Sequence, residues 1–189
     1  MRLKVRFPHF PIILTQRLIL RQIIAADDRA IFAIRGDYEV TKYNIGDAYT
    51  HIKQAQDLIT SMQEEFENHG SIRWGITRKA DDTVIGMVGF NYWDKQNNRA
   101  SIGFDLARAH WRKGIMREAL CAMLNFGFIN MGLHRIAADA SLENEASWKL
   151  MSSLGFTQEG ILRDQYYEHG DYHDLVILSI LAHEWNHIK

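Results

Sequence analysis

The amino-acid pattern predicts an α/β (α+β) chain built on a mixed, mostly antiparallel sheet of seven strands with about four helices. Three observations carry that expectation. Period-two alternation recurs in the middle and at the end of the chain, amphipathic stretches of helical period separate those runs, and the longest helical stretch is apolar on most of its surface. Leu18, Leu20 and Ile23 mark the first strand, and Asp27 or Asp28 then caps a short helix that Gly36 ends. From Ile52, the apolar positions Ala55, Ile59, Met62 and Phe66 recur at helical spacing with Lys53, Asp57, Glu64 and Glu67 opposite, so one face enters the core. A meander follows. Ile72, Trp74 and Ile76 alternate with polar or small residues, Asp81-Asp82 turns the chain into Val84 to Phe90, and Asn97-Asn98 turns it into Ile102, Phe104 and Leu106. Its aromatics Trp74, Tyr92 and Trp93 read as packing for a sheet face.

The segment Ile115 to Met131 reads as a helix whose polar stripe is confined to Arg117, Cys121 and Asn125, which requires cover from a sheet or from other helices. Next come a strand at Arg135 to Ala140, a helix from Glu145 to Leu154 closed by Gly155, and two long strands from Phe156 to Leu181 around His169-Gly170-Asp171. The expected order is β-α-α-β-β-β-α-β-α-β-β.

Composition bounds the function. The 189 residues, 47% hydrophobic and 24% charged, suit one domain over residues 1–189 with a sizeable core. A net charge of -1 gives no general attraction to nucleic acid or anionic lipid, so direct nucleic-acid binding is not expected and any anion site is local. Cys121 stands alone, which excludes an internal disulfide and a Cys-based zinc cluster and fits a cytoplasmic location. Pro8, His9 and Pro11 interrupt the apolar start, so no export signal is read. The longest apolar run, Leu175 to Ala182, falls far short of the roughly 20 residues of a bilayer span.

The chemistry concentrates at Phe104-Asp105-Leu106 and Ala109-His110-Trp111-Arg112-Lys113-Gly114-Ile115-Met116. A helix beginning at Ile115 presents unpaired N–H groups to an anion, Gly114 lets backbone approach a ligand, and Arg112 and Lys113 add cations suited to a diphosphate. By themselves, the same residues also describe a solvated basic turn before a core helix. A second pattern, His183-Glu184-Trp185-Asn186-His187, matches the zinc motif H-E-x-x-H. Only Ile188 and Lys189 follow it, leaving no downstream third ligand, and no metal site is assigned.

Downstream of the central helix stand Asn144-Glu145-Ala146-Ser147 and then Leu154-Gly155-Phe156. With the meander and the glycine turn, these resemble the GNAT acyltransferases, most closely the ribosomal-protein N-terminal acetyltransferases (RimJ/RimL-like). The resemblance spans nearly the whole chain. It includes Thr15-Gln16-Arg17-Leu18-Ile19-Leu20-Arg21, Ile85-Gly86, Ile102-Gly103-Phe104, Gly114 with Glu118-Ala119, Arg135-Ile136 and Gly170-Asp171-Tyr172-His173-Asp174. It implies the GNAT acyl-CoA fold, splayed between its fourth and fifth strands, and an N-acetyltransferase using acetyl-CoA as cosubstrate without a metal. The family turn Q/R-x-x-G-x-G/A falls on Trp111 to Met116, and both end residues depart from it. Cofactor contacts are thereby assigned to Phe104, Leu106, Trp111, Arg112, Lys113, Gly114, Ile115, Met116, Asn144 and Ser147.

Many family members carry a tyrosine proton donor seven residues after the motif asparagine; that position is Met151, and Ser147, one turn earlier, takes the role in the branch resembled here. The family's carboxylate positions fall on Ser101 and Tyr166, neither a carboxylate, which leaves Asp105, Glu168 or a water chain as the base. The link Asp37 to Tyr49, with Tyr38, Glu39, Tyr43 and Asp47, is expected to face the hairpin at Gly170 and form the acceptor pocket. The implied acceptor is a protein N-terminal α-amine of the ribosomal-protein alanine or serine type. Alternatives are a small amine (a polyamine, an amino acid or an aminoglycoside), a CoA-binding module without catalysis, and a zinc hydrolase based on the final motif. A homodimer is compatible with the resemblance.

Overall fold

The computed structural model describes residues 7–168 and 170–185. Met1 to Arg6 of the start, His169 of the expected turn, and Asn186 and His187 of the H-E-x-x-H pattern lie outside the described residues. Along the chain run β1 (Ile13–Leu14), β2 (Leu18–Gln22), α1 (Asp28–Arg35), α2 (Tyr38–Thr41), α3 (Ile52–Glu67), β3 (Ile72–Arg78), β4 (Asp81–Asp94) and β5 (Arg99–Leu106). They are followed by α4 (Ile115–Ile129), β6 (Arg135–Ser141), α5 (Glu145–Ser153), β7 (Thr157–Glu168) and β8 (Asp171–Leu181). The sheet order is β1-β2-β3-β4-β5-β6-β8-β7, antiparallel everywhere except between β5 and β6.

Alternation assigns the two faces. Ile72, Trp74 and Ile76 of β3, with Val88, Phe90, Ile102 and Leu106, pack toward α4 and α5 in the larger core. Met87 and Val84 on the other face meet Ile31 and Ile34 of α1 and Ala55, Ile59 and Met62 of α3. The apolar breadth of α4 is used fully: Ile115, Met116, Ala119, Leu120, Met123 and Leu124 are all buried. Trp74 is completely buried and donates its indole N–H to the Pro11 carbonyl at 2.8 Å, consistent with a packing role.

The expected architecture is present, with an eighth strand and a fifth helix among the described residues. Both additions are too short for periodicity to reveal: β1 has two residues and α2 has four. Two local expectations need correction. The β3–β4 turn is Lys79-Ala80, because Asp81 already pairs with Arg78 across the ladder. Asp27 does not cap α1 with its side chain; its carboxylate accepts from Arg21 at 2.8 and 2.9 Å and from the Ile24 N–H at 2.8 Å. A charged partner outcompetes the helix end.

The start of α4 is braced by the chain's opening. Glu118 accepts from the Thr15 hydroxyl (2.6 Å), the Arg17 N–H (2.8 Å) and Arg17 Nε (2.6 Å), while Arg17 also donates to the Lys113 carbonyl at 3.1 Å. Burial opposes ionisation of Glu118, but these hydrogen bonds outweigh it and hold the carboxyl below its ordinary range. Because Leu120 is wholly buried at the centre of α4, Leu120→Ala is expected to cost about 2–5 kcal/mol in denaturant unfolding.

Candidate active site

The β5–β6 ladder covers Arg99, Ala100 and Ser101 against Arg135, Ile136 and Ala137, and then the two strands part. Ala107 donates to the Ile85 carbonyl at 2.9 Å, which sets the parity of the β4–β5 ladder. In antiparallel pairing this turns the main-chain groups of Asp105 toward β4 and those of Phe104 and Leu106 toward the gap. A cavity of about 1400 Å³ opens there, lined by the parted strands, the N-terminal ends of α4 and α5, the α2 loop and the β7–β8 hairpin. It is larger than the ~300–1000 Å³ of a typical single-ligand pocket.

At one end lies an anion cradle. Gly114 is left-handed (φ +71°), and so is Arg112 (φ +57°), a turn geometry that makes successive N–H groups converge. The first helical hydrogen bond runs from the Glu118 N–H to Gly114, so Ile115, Met116 and Arg117 keep unpaired donors pointing out of the helix start. Met116 buries its side chain, which leaves its amide available despite the departure from the family turn. Trp111 donates its indole N–H to the Leu106 carbonyl at 2.7 Å, tying the turn to the end of β5. Arg112 lines the cavity with these donors, so the set fits a diphosphate. Lys113 does not: its ammonium is turned back onto the Ala109 carbonyl at 2.8 Å, capping the preceding turn, and it does not line the cavity. His110, also lining it, is held below the ordinary histidine value by burial and then by Arg78 and Lys113, so it is neutral at neutral pH.

The α5 start forms the next wall. Asn144 caps the helix, accepting from the Ser147 N–H at 3.3 Å, while the Ser147 hydroxyl lines the cavity and has no hydrogen-bond partner among the described residues. Met151 is buried against the core below it. Opposite stands Asp139 of β6, which lines the cavity without a hydrogen bond to any described residue. Its surface opens to the cavity, yet surrounding protein disfavours its charge and pushes the carboxyl above the ordinary value of 3.8. Sequence reasoning overlooked it, although its signal was legible: Asp139 is the one ionisable residue within Ile136-Ala137-Ala138-Asp139-Ala140.

The far end is formed by the α1–α3 link. Asp105 accepts from Arg35 at 3.1 Å and from the Asn44 amide at 3.0 Å, so the carboxylate considered as a base serves an ion pair and a loop anchor. Glu168 accepts from the Gly46 N–H at 3.2 Å and lies outside the cavity lining, so it pins the link to the hairpin. The link does face the hairpin: Glu39, Tyr43 and Asn44 line the cavity, and so does Tyr166, stacked on His173 at 5.2 Å. Tyr38 points to solvent, and Tyr49 lies against the Arg35 guanidinium at 5.4 Å. A bulge on β7, where the three residues between Leu162 and Tyr166 face Asp174 alone, delivers Gln165 and Tyr166 to the site.

The zinc pattern finds no helix to carry it within the described residues, since 182–184 form a turn and Glu184 accepts from the Leu181 N–H at 2.8 Å. No group of three or more described His, Cys, Asp or Glu residues is placed to hold a metal ion. No described helix is long and apolar enough to cross a membrane.

Residues 17–157 match the acetyltransferase (GNAT) domain family. The chain is 38% identical over 172 residues to the N-acetyltransferase YoaA of Bacillus subtilis, covering 91% of this chain and 97% of that one. It is 28% identical over 126 residues to the [ribosomal protein uS5]-alanine N-acetyltransferase of Escherichia coli, covering 66% of this chain and 65% of the relative. Its fold superposes with a TM-score of 0.80, at 22% identity and over 90% and 99% of the two chains, on spermidine N-acetyltransferase from Vibrio cholerae in complex with CoA and spermine. A β-branched side chain at the left-handed Gly114 position is strained by about 1–2 kcal/mol, so Gly114→Val is expected to weaken CoA binding by roughly tenfold in calorimetry. Unchanged affinity would refute the cradle.

Proposed function

The chain belongs to the GNAT acetyltransferase family, and from that premise we propose that it transfers the acetyl group of acetyl-CoA directly to a primary α-amine within the cavity between β5 and β6. One observation carries this reading: the anion cradle of α4, the freed edge of β5, the Ser147 hydroxyl and the Asp139 carboxyl all line a single cavity. Bound acetyl-CoA supplies an activated acyl carbon with a thiolate leaving group. The N–H groups of Ile115, Met116 and Arg117, with Arg112, would hold its diphosphate. The main chain of Phe104 and the Leu106 N–H would receive the acyl arm, an N–H there stabilising oxygen charge as it develops.

Asp139 serves as the base in this reading. An ammonium acceptor must lose a proton before it attacks, and a carboxyl held above its ordinary value takes that proton more readily than Asp105, which is committed to Arg35. Ser147 Oγ relays a proton to the departing sulfur while taking up the one shed by the newly acylated nitrogen, so the hydroxyl ends as it began. Holding both substrates in one cavity contributes by orientation. The uS5-alanine relative supports an N-terminal α-amine as acceptor.

Thiol release from acetyl-CoA across a panel of amines and N-terminal peptides tests the transfer; CoA binding with no release from any amine would leave a binding module. Ser147→Ala is expected to lower kcat on the order of 10²-fold with acetyl-CoA affinity nearly unchanged, and an unaltered rate removes Ser147 from the mechanism. Because the base works only when ionised, the rate limb set by Asp139 rises with pH above 3.8. Asp139→Asn is expected to lose that limb and about 10²–10⁴-fold in kcat, retaining only the limb of the acceptor amine, as read from pH–rate profiles.

A further inference from the structure

Two guanidinium groups stand at the acceptor end of the cavity, and one of them makes no hydrogen bond or ion pair with a described residue. Arg35 is paired with Asp105 at 3.1 Å, but its Nε is buried without a partner. Arg73 of β3 also has a buried, unpartnered Nε, and none of its nitrogens makes a hydrogen bond or ion pair with a described residue. Glu65 and Asp105 place negative charge near Arg73, but neither carboxylate hydrogen-bonds to it. Asp105 is held by Arg35 and Asn44, and Glu65 accepts from the Ser61 and Ser71 hydroxyls at 3.3 and 2.5 Å. Burial lowers the affinity of Arg73 for its proton, with Arg35 adding to the effect against Glu65 and Asp105, yet a guanidinium remains charged at neutral pH.

The sheet is shaped to admit this side chain. Arg73, Gly89 and Gly103 form one row across β3, β4 and β5. A Cβ on Gly89 would lie 2.6 Å from Arg73 Cγ, so the arginine stem runs over a residue that cannot carry a side chain. Arg73 thus lines the cavity on the sheet face of α1 and α3, opposite the face covered by α4. The diphosphate cradle at α4 is therefore not its partner. A buried, unpaired cation is costly unless a ligand completes it.

We infer that the acceptor end contains a carboxylate subsite formed by Arg73 with the open side of Arg35, so the amine acetylated here also bears a carboxylate. This rests on the acetyl-transfer reading above and narrows its acceptor. A polyamine would bring several positive charges beside Arg73, whereas an amino acid, or a peptide with an acidic residue next to its N-terminus, supplies the direct carboxylate partner that Arg73 lacks.

The test compares L-amino acids with their α-carboxamides, spermidine, and peptides beginning Ser-Glu-Glu or Ser-Gln-Gln. Acetyl-CoA thiol release and calorimetric binding to the CoA-loaded protein are both measured. Carboxylate acceptors are expected to exceed their amide counterparts by at least about tenfold in kcat/KM and in affinity; the free-acid and peptide arms identify the source of the carboxylate. Arg73→Gln should bring that ratio toward one, Arg73→Lys should keep part of it, and CoA affinity should be unmoved in both. Equal handling of acid and amide, a preference for spermidine, or a loss of CoA affinity in Arg73→Gln overturns the subsite. Turnover without carboxylate preference refutes the subsite alone, while carboxylate-selective binding without turnover supports it and refutes acetyl transfer.

Discussion

The separation of β5 from β6 after only Ser101 and Ala137 is the constraint on which the site depends. A sheet that continued its ladder would satisfy every main-chain group and leave no opening. Here each strand keeps its other neighbour, β4 for β5 and β8 for β6, so the sheet remains intact on both sides while the main-chain groups of Phe104 and the Leu106 N–H are released. The parallel β5–β6 pair also requires a crossover, and α4 provides it. The helix that covers one sheet face consequently begins at the mouth of the gap, where its unpaired donors gather.

Charge divides the cavity into two ends. Near α4, backbone N–H groups and Arg112 gather without Lys113, whose ammonium is committed to the Ala109 carbonyl. At the other end, Arg35 and Arg73 stand near Asp105, which hydrogen-bonds to Arg35 and Asn44 and not to Arg73. Asp139 lies between, flanked on β6 by Ala138 and Ala140, where burial keeps its proton affinity high. Glu118 stays ionised for the opposite reason: three donors from Thr15 and Arg17 surround it. Carboxyl groups with different surroundings thus differ in role and proton affinity: Glu118 braces, Asp105 anchors, and Asp139 holds its proton more tightly.

Legibility in the sequence followed the range of the interaction. The strands of the meander, α3 and α4 were visible because a buried face imprints its period on seven or more residues; β1 and α2 span about one repeat each, and a period shows only when it recurs. The α4 turn was readable because Gly114 and the basic residues before it are contiguous. The separate duties of Arg112 and Lys113 were not, since they depend on which way each side chain folds back. Likewise the link between α1 and α3 faces the hairpin as expected, but the contact that joins them, Glu168 to the Gly46 N–H, turns a candidate base into an anchor.

The sequence alone determined the order of elements, the apolar helix at the centre, the anion turn before it and the family resemblance, because each is written in neighbouring residues or regular spacings. Only the tertiary structure decided that Asp105 is engaged by Arg35, that Asp139 faces the gap, and that Arg73 stands above Gly89 without a hydrogen-bond partner among the described residues. These are contacts between strands and helices distant in the chain, and charge compensation depends on distance in space, which no local pattern records.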